Sequence, residues 1–209
     1  MYDPTVFVDR PLSLLAANSM SAERDAGGWR GFAGIPIERK WSDIFTIDVF
    51  LTRERPDIII ELGTGSGAFS CYLATYAFLA GAEFHTFDTH LKGSPTKRIN
   101  YRAQRLIARL GGKTHRRDVF SLATVTLISK ITRQPRTAFV YCDNGDKIRE
   151  VRTFAEHLKV GDFLGVHDFG SEIQTEDISY LTQTGRFIHW NANELTAAAS
   201  SNRLLQRVK

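Results

Sequence analysis

The chain has 209 residues, of which 43% are hydrophobic, 11% aromatic and 24% charged. This balance is typical of one globular domain, and it excludes a disordered tail protein, a collagen and a disulfide-stapled peptide. The formal net charge of +4 is mildly basic and does not by itself indicate a nucleic-acid partner. The longest nearly apolar run, Cys71–Ala82, is too short to cross a membrane, which takes about 20 residues.

Two features predict a cytoplasmic protein. The first residues lack the basic and apolar regions of a secretory signal peptide. Cys71 and Cys142 lie in apolar segments without a CxxC partner, so we expect buried thiols and no redox or zinc role.

Short apolar runs alternate with longer periodic segments along the chain. The short runs predict buried parallel strands over 57–62, 83–88, 113–118, 137–143 and 162–168. The periodic segments predict helices over 41–53, 67–81, 97–110, 119–131 and 146–160. Ser42 is the predicted N-cap of the first helix, and Gly161 the predicted stop of the last one.

After residue 168 the pattern changes to a short helix over 175–181 and two segments, 186–190 and 203–208, that suit an antiparallel hairpin. The alternation upstream predicts an open parallel sheet with helices on both faces. We interpret residues 1–40 as a helical or irregular cover over a domain that spans 41–209. In such a sheet the ligand lies beyond the carboxyl ends of the strands.

Acidic residues mark those strand ends. Four of the five predicted strands end in aspartate: Asp88, Asp118, Asp143 and Asp168. A glycine turn, ELGTGSG over 61–67, follows the first strand and lets backbone N–H groups approach a ligand closely. The turn also reads as the dinucleotide fingerprint GxGxxA, with Asp88 as the ribose-binding acid. Glu61 favours a ligand without phosphate, because its carboxylate would repel a pyrophosphate. S-adenosylmethionine fits this requirement.

These residues resemble class I S-adenosylmethionine-dependent methyltransferases over about residues 40–209. The resemblance implies an α/β, Rossmann-like, doubly wound fold with a mostly parallel seven-stranded sheet, whose last two strands are the antiparallel C-terminal hairpin. A looser resemblance to the cephalosporin hydroxylase-like and macrocin O-methyltransferase branch rests on three stretches: Gly34-Ile35-Pro36, Arg55-Pro56-Asp57 and CDNGDKIREVRTFAEHLKVGDFLGVHDFG over 142–170.

The resemblance also implies roles for individual residues. The glycine turn and Asp88 would hold the methionine part and the ribose, and Asp118 with Val119 would meet the adenine. The cofactor-binding candidates are Glu61, Gly63, Thr64, Gly65, Gly67, Asp88, Thr89, Asp118, Val119 and Asp143. Further polar residues follow the second strand and could reach either adenine or substrate: Thr89, His90, Lys92, Ser94 and Thr96.

The catalytic candidates are Asp143, His167 and Lys147. Asp143 and Asp168 end adjacent predicted strands and could converge with His167 on Mg²⁺ or Mn²⁺. The ion would lower the pKa of an acceptor hydroxyl. The resembled branch has a tandem acidic pair where this chain has His167 and Asp168, so His167 is either a replacement ligand or the general base of a metal-free site. Lys147 could assist deprotonation or neutralise an anionic substrate.

The sequence therefore predicts a methyltransferase (EC 2.1.1.-) that uses S-adenosylmethionine to methylate a small-molecule or sugar-like hydroxyl, with a divalent metal as an added candidate. One alternative is an NAD(P)-dependent Rossmann oxidoreductase. Another is a nucleic-acid or glycan methyltransferase that uses the basic face Arg98, Arg102, Arg105 and Arg109, although the (Asp/Asn)-Pro-Pro-aromatic motif of amino-methylating enzymes is absent. A catalytically silent binding fold and a homo-oligomer both stay open.

Overall fold

The structure, a computed structural model, describes residues 31–32, 35–37, 39–89 and 99–209. Two short strands, β1 (Gly31–Phe32) and β2 (Ile35–Pro36), pair as an antiparallel ribbon. The remaining strands of the described chain are β3 (Ile58–Leu62), β4 (Glu83–Asp88), β5 (Lys113–Arg116), β6 (Ala138–Cys142), β7 (Phe163–Val166), β8 (Phe187–His189) and β9 (Arg203–Arg207). Its α-helices are α1 (Trp41–Glu54), α2 (Ala68–Ala80), α3 (Tyr101–Arg109), α4 (Leu122–Thr132), α5 (Lys147–Phe154), α6 (Thr175–Gln183) and α7 (Ala192–Ala197).

Strands β3 to β9 form one sheet in the order β5-β4-β3-β6-β7-β9-β8. The first five strands in this order are parallel, whereas β9 runs antiparallel to both of its neighbours. The chain winds outward from β3 through β4 to β5, then returns to the other side of β3 with β6 and β7. The switch point therefore lies between β3 and β6. This topology confirms the predicted doubly wound, mostly parallel sheet of seven strands with an antiparallel C-terminal hairpin.

The core consists of two apolar layers on opposite faces of the sheet. Side chains of a strand alternate between faces, so Ile59 packs on the face covered by α1, α2 and α3, while Ile58 and Ile60 pack on the face covered by α4, α5 and α6. All five residues of β3 are buried, as expected for a central strand with helices on both sides. None of the described helices combines the length and apolar content of a membrane span.

Several predicted boundaries are wrong. Helix α1 has Lys40 as its N-cap, and Ser42 is buried within the first turn. Helix α5 ends at Phe154 and continues as a 3₁₀ turn to His157, so it stops before Gly161. Strand β5 ends at Arg116 rather than at 118.

Two further differences concern the ends of the chain. The two strands of the C-terminal hairpin are joined by helix α7, which the sequence pattern did not predict. Within the predicted cover, the described residues form the β1–β2 ribbon, and residues 1–30 lie outside the described part of the chain.

Candidate functional site

A cleft of about 700 Å³ lies at the carboxyl ends of β3, β4, β6 and β7. It brings together ten of the residues that the sequence singled out: Glu61, Gly63, Thr64, Gly65, Asp88, Thr89, Asp143, Lys147, His167 and Asp168. The cleft is also lined by residues that the sequence reasoning missed, among them Arg39, Phe69 and Glu172. Its position at the switch point is where doubly wound sheets bind ligands.

The glycine turn passes close to the end of the neighbouring strand. Gly63 has a φ of +98°, and a Cβ at this position would lie 2.2 Å from the carbonyl oxygen of Asp143. Glycine is therefore required there for both conformation and space. Gly67 is the N-cap of α2, and a Cβ on it would meet the Ala103 side chain at 2.7 Å. Gly67 thus serves the packing of α2 against α3.

The end of β4 holds the turn in place. A carboxylate oxygen of Asp88, Oδ2, accepts a hydrogen bond from the backbone N–H of Gly65 at 3.0 Å. The hydroxyl groups of Thr64 and Thr86 lie 2.6 Å apart beneath it. Asp88 is partly buried and lines the cleft, a position that suits the predicted contact with a ribose diol.

Glu61 lines the cleft but is only 1% exposed. Its carboxyl group accepts a hydrogen bond from the Ser70 hydroxyl. Burial raises the pKa of Glu61 to about 8, although the Ser70 bond and the nearby charge of Arg39 act in the opposite direction. A cation arriving beside this carboxyl would stabilise its ionised form.

The predicted adenine contacts, Asp118 and Val119, follow β5, and their role toward adenine stays a prediction. Asp118 is exposed and accepts a hydrogen bond from the backbone N–H of Phe120 at 2.9 Å, while Val119 is fully buried in the core. Neither residue is part of the cleft lining that the described chain forms. The other polar candidates of this region, His90, Lys92, Ser94 and Thr96, lie outside the described residues, as does Arg98.

Asp143, His167 and Asp168 form a compact cluster at the ends of β6 and β7. Each offers one ligand atom, and these three atoms lie within 4.8 Å of one another. Nδ1 of His167 is 3.2 Å from Oδ1 of Asp143 and 3.1 Å from Oδ1 of Asp168. The backbone of Asp168 has a φ of +57°, which turns the chain out of the strand direction beside His167.

The second oxygen of each carboxylate pairs with a cationic side chain. Oδ2 of Asp143 pairs with Arg39, and Oδ2 of Asp168 lies 3.0 Å from Nζ of Lys147. Lys147 also contacts Oε2 of Glu172 at 2.7 Å and Oδ1 of Asp143 at 3.4 Å. These carboxylates outweigh burial and raise the pKa of Lys147 above its ordinary value. The arrangement favours the charge-neutralising role of Lys147 over deprotonation of an acceptor.

Carboxylates also surround His167. Burial and the charge of Arg39 lower the pKa of its imidazole, but hydrogen bonds to Asp143, Asp168 and Asp43 outweigh both and raise the pKa to about 9. In the protein without a bound cation, His167 is therefore itself a cation at neutral pH. The ring neutralises charge in the same place where a metal ion would do so.

Arg39 and Asp43 were not singled out by the sequence. The Arg39 guanidinium donates a hydrogen bond to the Tyr141 hydroxyl at 2.8 Å and lies 3.9 Å from the centroid of the Phe69 ring. Asp43, in the first turn of α1, is 3.4 Å from Nε2 of His167. Neither residue belongs to a recognisable motif, so only the packing of α1 and the preceding segment against the sheet brings them to the site.

The donor set of this cluster fits a divalent cation. Two carboxylates and an imidazole present one donor atom each to a common space, as in sites for Mn²⁺ and related metals. The four carboxylates in and around the cluster belong to Asp43, Asp143, Asp168 and Glu172. Arg39 and Lys147 balance two of these charges, so a dication would complete the balance when the imidazole is neutral.

Comparison by sequence finds no match, either to a protein-family model or to a curated protein. Solved structures do match. CmcI with Mg and S-adenosylmethionine is 14% identical with a TM-score of 0.61, covering 86% of this chain and 77% of that one. CmcI with S-adenosylhomocysteine is 13% identical with a TM-score of 0.59, covering 86% and 83%.

A third match is the methyltransferase PaMTH1 of Podospora anserina bound to S-adenosylhomocysteine. It is 11% identical with a TM-score of 0.53, and the alignment covers 97% of this chain and 89% of that one. At sequence identities of 11%, 13% and 14%, the similarity to these structures shows the fold alone. The chain has the Rossmann-like fold of class I methyltransferases, as its motifs predicted.

Proposed function

We propose that this protein is an S-adenosylmethionine-dependent O-methyltransferase that acts on a small-molecule or sugar-like hydroxyl. One observation carries the proposal. A single cleft joins the glycine turn and Asp88, which suit a nucleoside, to Asp143, His167 and Asp168, which suit the activation of a hydroxyl. Solved structures of this fold contain S-adenosylmethionine or its demethylated product, which supports the same ligand here.

The buried carboxyl group of Glu61 favours this ligand over a dinucleotide. Glu61 follows three isoleucines in β3 and is buried, and together with Gly63 it lines the cleft. A pyrophosphate at the turn would disfavour ionisation of this carboxyl group and gain nothing from it, whereas the ammonium of S-adenosylmethionine would stabilise the ionised form and pair with it. The rival assignment, an NAD(P)-dependent oxidoreductase, lacks such support.

The other end of the cleft contains Asp143, His167 and Asp168, the groups that would activate the acceptor hydroxyl. In methyl transfer the acceptor oxygen bonds to the methyl carbon, the carbon–sulfur bond breaks, its electron pair neutralises the sulfonium, and the hydroxyl proton passes to solvent water. Asp143, His167 and Asp168 would hold a divalent cation, which would lower the pKa of a coordinated hydroxyl and orient its oxygen. Lys147 keeps the two aspartates paired and so fixes their geometry.

The basic face of α3 gives no support to a polymer acceptor. Arg102, Arg105 and Arg109 are exposed, but none of them lines the cleft that the described residues form. A solvated helix face accounts for their spacing. The small-molecule or sugar-like acceptor therefore stays the proposal.

Calorimetric titration tests the ligand. We expect S-adenosylmethionine and S-adenosylhomocysteine to bind and NAD not to bind. Asp88→Asn should weaken binding about 10- to 100-fold, because a charged hydrogen-bond acceptor contributes about 1.5–3 kcal/mol. Asp48→Asn, on α1 and away from the cleft, is the matched control. Binding of NAD alone, or no effect of Asp88→Asn, would contradict the proposal.

Chelation tests the metal. Release of S-adenosylhomocysteine, measured with a panel of phenolic and sugar hydroxyls, should stop after treatment with a chelator and return when Mn²⁺ or Mg²⁺ is added. Turnover that is indifferent to the chelator would remove the metal from the proposal.

A further inference from the structure

The two carboxylate oxygens of Asp43 have separate partners. Asp43 is 1% exposed, and its Oδ1 accepts hydrogen bonds from the Ser200 hydroxyl at 3.0 Å and from the backbone N–H of Ser201 at 2.6 Å. Its Oδ2 lies 3.4 Å from Nε2 of His167. One oxygen therefore anchors the residue to the segment before β9, and the other faces the imidazole ring.

The imidazole of His167 lies between Asp43 and the other two carboxylates of the site. A neutral imidazole has one N–H donor and one lone pair, and the hydrogen bond made by one nitrogen decides the state of the other. When a divalent cation is bound, donation from Nε2–H to Asp43 leaves the lone pair on Nδ1 for the cation. Without a cation, Nδ1 holds a proton, because it faces Oδ1 of Asp143 at 3.2 Å and Oδ1 of Asp168 at 3.1 Å; a divalent cation between these oxygens would take the place of that proton.

The position of Asp43 is itself fixed by a buried network. Its backbone carbonyl accepts a hydrogen bond from Nδ2 of Asn202 at 2.9 Å, and Oδ1 of Asn202 accepts one from the Tyr141 hydroxyl at 2.6 Å. Tyr141 belongs to β6, the strand that ends next to Asp143. The network thus connects the first turn of α1 to β6, close to the strand end that is followed by Asp143.

We infer that Asp43 is a positioning residue for this site: when a divalent cation binds, its carboxylate holds the proton of His167 on Nε2, so that Nδ1 joins Asp143 and Asp168 as the third ligand atom. A buried carboxylate behind a ligating imidazole is a common arrangement in metal sites, where it sets the tautomer and the orientation of the ring. The inference rests on the proposed function, because it concerns the cation-binding end of the same cleft.

Asp43→Asn reverses the preference and is the decisive variant. An amide nitrogen in place of Oδ2 donates rather than accepts, so it favours the lone pair on Nε2 and the proton on Nδ1. The amide oxygen can still accept from Ser200 and Ser201, which preserves the anchor. Asp48→Asn makes the same change on the same helix, where the carboxylate accepts from the Tyr72 hydroxyl at 2.6 Å.

Two measurements decide the inference. Long-range proton–nitrogen NMR of the protein saturated with Mg²⁺, which is diamagnetic, reports which nitrogen of His167 carries the proton. We expect Nε2–H in the wild-type protein and in Asp48→Asn, and Nδ1–H in Asp43→Asn. Electron paramagnetic resonance of free Mn²⁺ should show about a 10- to 100-fold loss of affinity in Asp43→Asn only, the usual effect of removing such a carboxylate.

The wild-type tautomer is measured directly, so the test does not depend on the folding of the variant. An Nδ1–H tautomer in the Mg²⁺-saturated wild-type protein would overturn the inference, as would equal Mn²⁺ affinity in the two variants or no Mn²⁺ binding at all. Titration with S-adenosylhomocysteine decides separately on the proposed function. Failure of that ligand to bind the wild-type protein would remove the proposed function while the tautomer still shows what Asp43 does.

Discussion

The Arg39 guanidinium lies over the face of the Phe69 ring, with 3.9 Å between Cζ and the ring centroid. In this position it pairs with Asp143 and donates to the Tyr141 hydroxyl at 2.8 Å. A planar guanidinium suits such a place, because it can stack on an aromatic ring and form hydrogen bonds at its edge simultaneously. Arg39 therefore links the wall of the cleft to a carboxylate of the candidate metal site.

Arg39→Met should destabilise the protein by about 1–3 kcal/mol, because it leaves Oδ2 of Asp143 without its partner while Lys147 and His167 still contact Oδ1. Denaturant unfolding measures this free energy. The control is Arg102→Met on α3, which is exposed and should change the stability by less than about 0.5 kcal/mol. Equal effects of the two variants would show that the Arg39 pair does not stabilise the fold.

Gly63→Ala should cost more stability than Gly111→Ala. Both glycines have positive φ, +98° and +81°, and alanine in this region costs about 1–2 kcal/mol. A Cβ at Gly63 would also overlap the carbonyl oxygen of Asp143 at 2.2 Å, whereas nothing lies within 4 Å of a Cβ at Gly111. Thermal unfolding midpoints measure the difference. Similar midpoints for the two variants would mean that the turn can move away from β6.

Binding of S-adenosylmethionine should release about one proton at neutral pH. Burial raises the pKa of Glu61 to about 8, so the free protein holds this carboxyl protonated below that pH. A cationic ligand beside it lowers the pKa and drives the proton off. Calorimetric enthalpies in buffers of different ionisation enthalpy measure the released proton. Glu61→Gln should abolish the dependence on buffer, and a buffer-independent enthalpy for the wild-type protein would contradict the assignment.

Glu61 also makes stability depend on pH. Its pKa is raised in the folded state, from 4.5 to about 8, so the folded protein binds the proton more tightly than the unfolded chain does. The stabilisation is present in full below pH 4.5 and is lost as the pH rises through about 8. The free energy of unfolding of Glu61→Gln, relative to that of the wild-type protein, should therefore rise across this window. A constant difference would contradict the shift.

His115 makes the stability of the protein depend on pH in the opposite direction from Glu61. Nε2 of His115 lies 3.0 Å from Nδ1 of His85, and its ring stacks on Phe87 at 4.2 Å. Burial, with His85 and nearby cationic side chains, lowers the pKa of His115 from 6.5 to about 4. The unfolded chain therefore binds the proton more readily, and stability should fall as the pH falls from 6.5 toward 4. Denaturant unfolding across this range should show a shallower dependence for His115→Gln. Parallel curves for the two proteins would contradict the prediction.

Local sequence determined much of the fold and part of the site. Apolar runs and periodic segments identified the five parallel strands and the helices between them, because burial on both faces of a parallel sheet leaves a continuous apolar signal. The glycine turn and the residues at the ends of β4, β6 and β7 followed from the same pattern. Since parallel strands end at one edge, Asp88, Asp143 and His167 were expected to meet in one cleft, and they do.

Tertiary structure alone decided the partners of those residues. Arg39 is 104 positions from Asp143, and Asp43 is 124 positions from His167. No local pattern links such pairs, because their contact depends on how α1 and the segment before it pack across the ends of the sheet. The same packing decides which residues of the site are buried and paired, and hence the pKa values of Glu61 and His167. Sequence periodicity reports which face of an element is buried, whereas the charge state of a side chain depends on every group that packing brings around it.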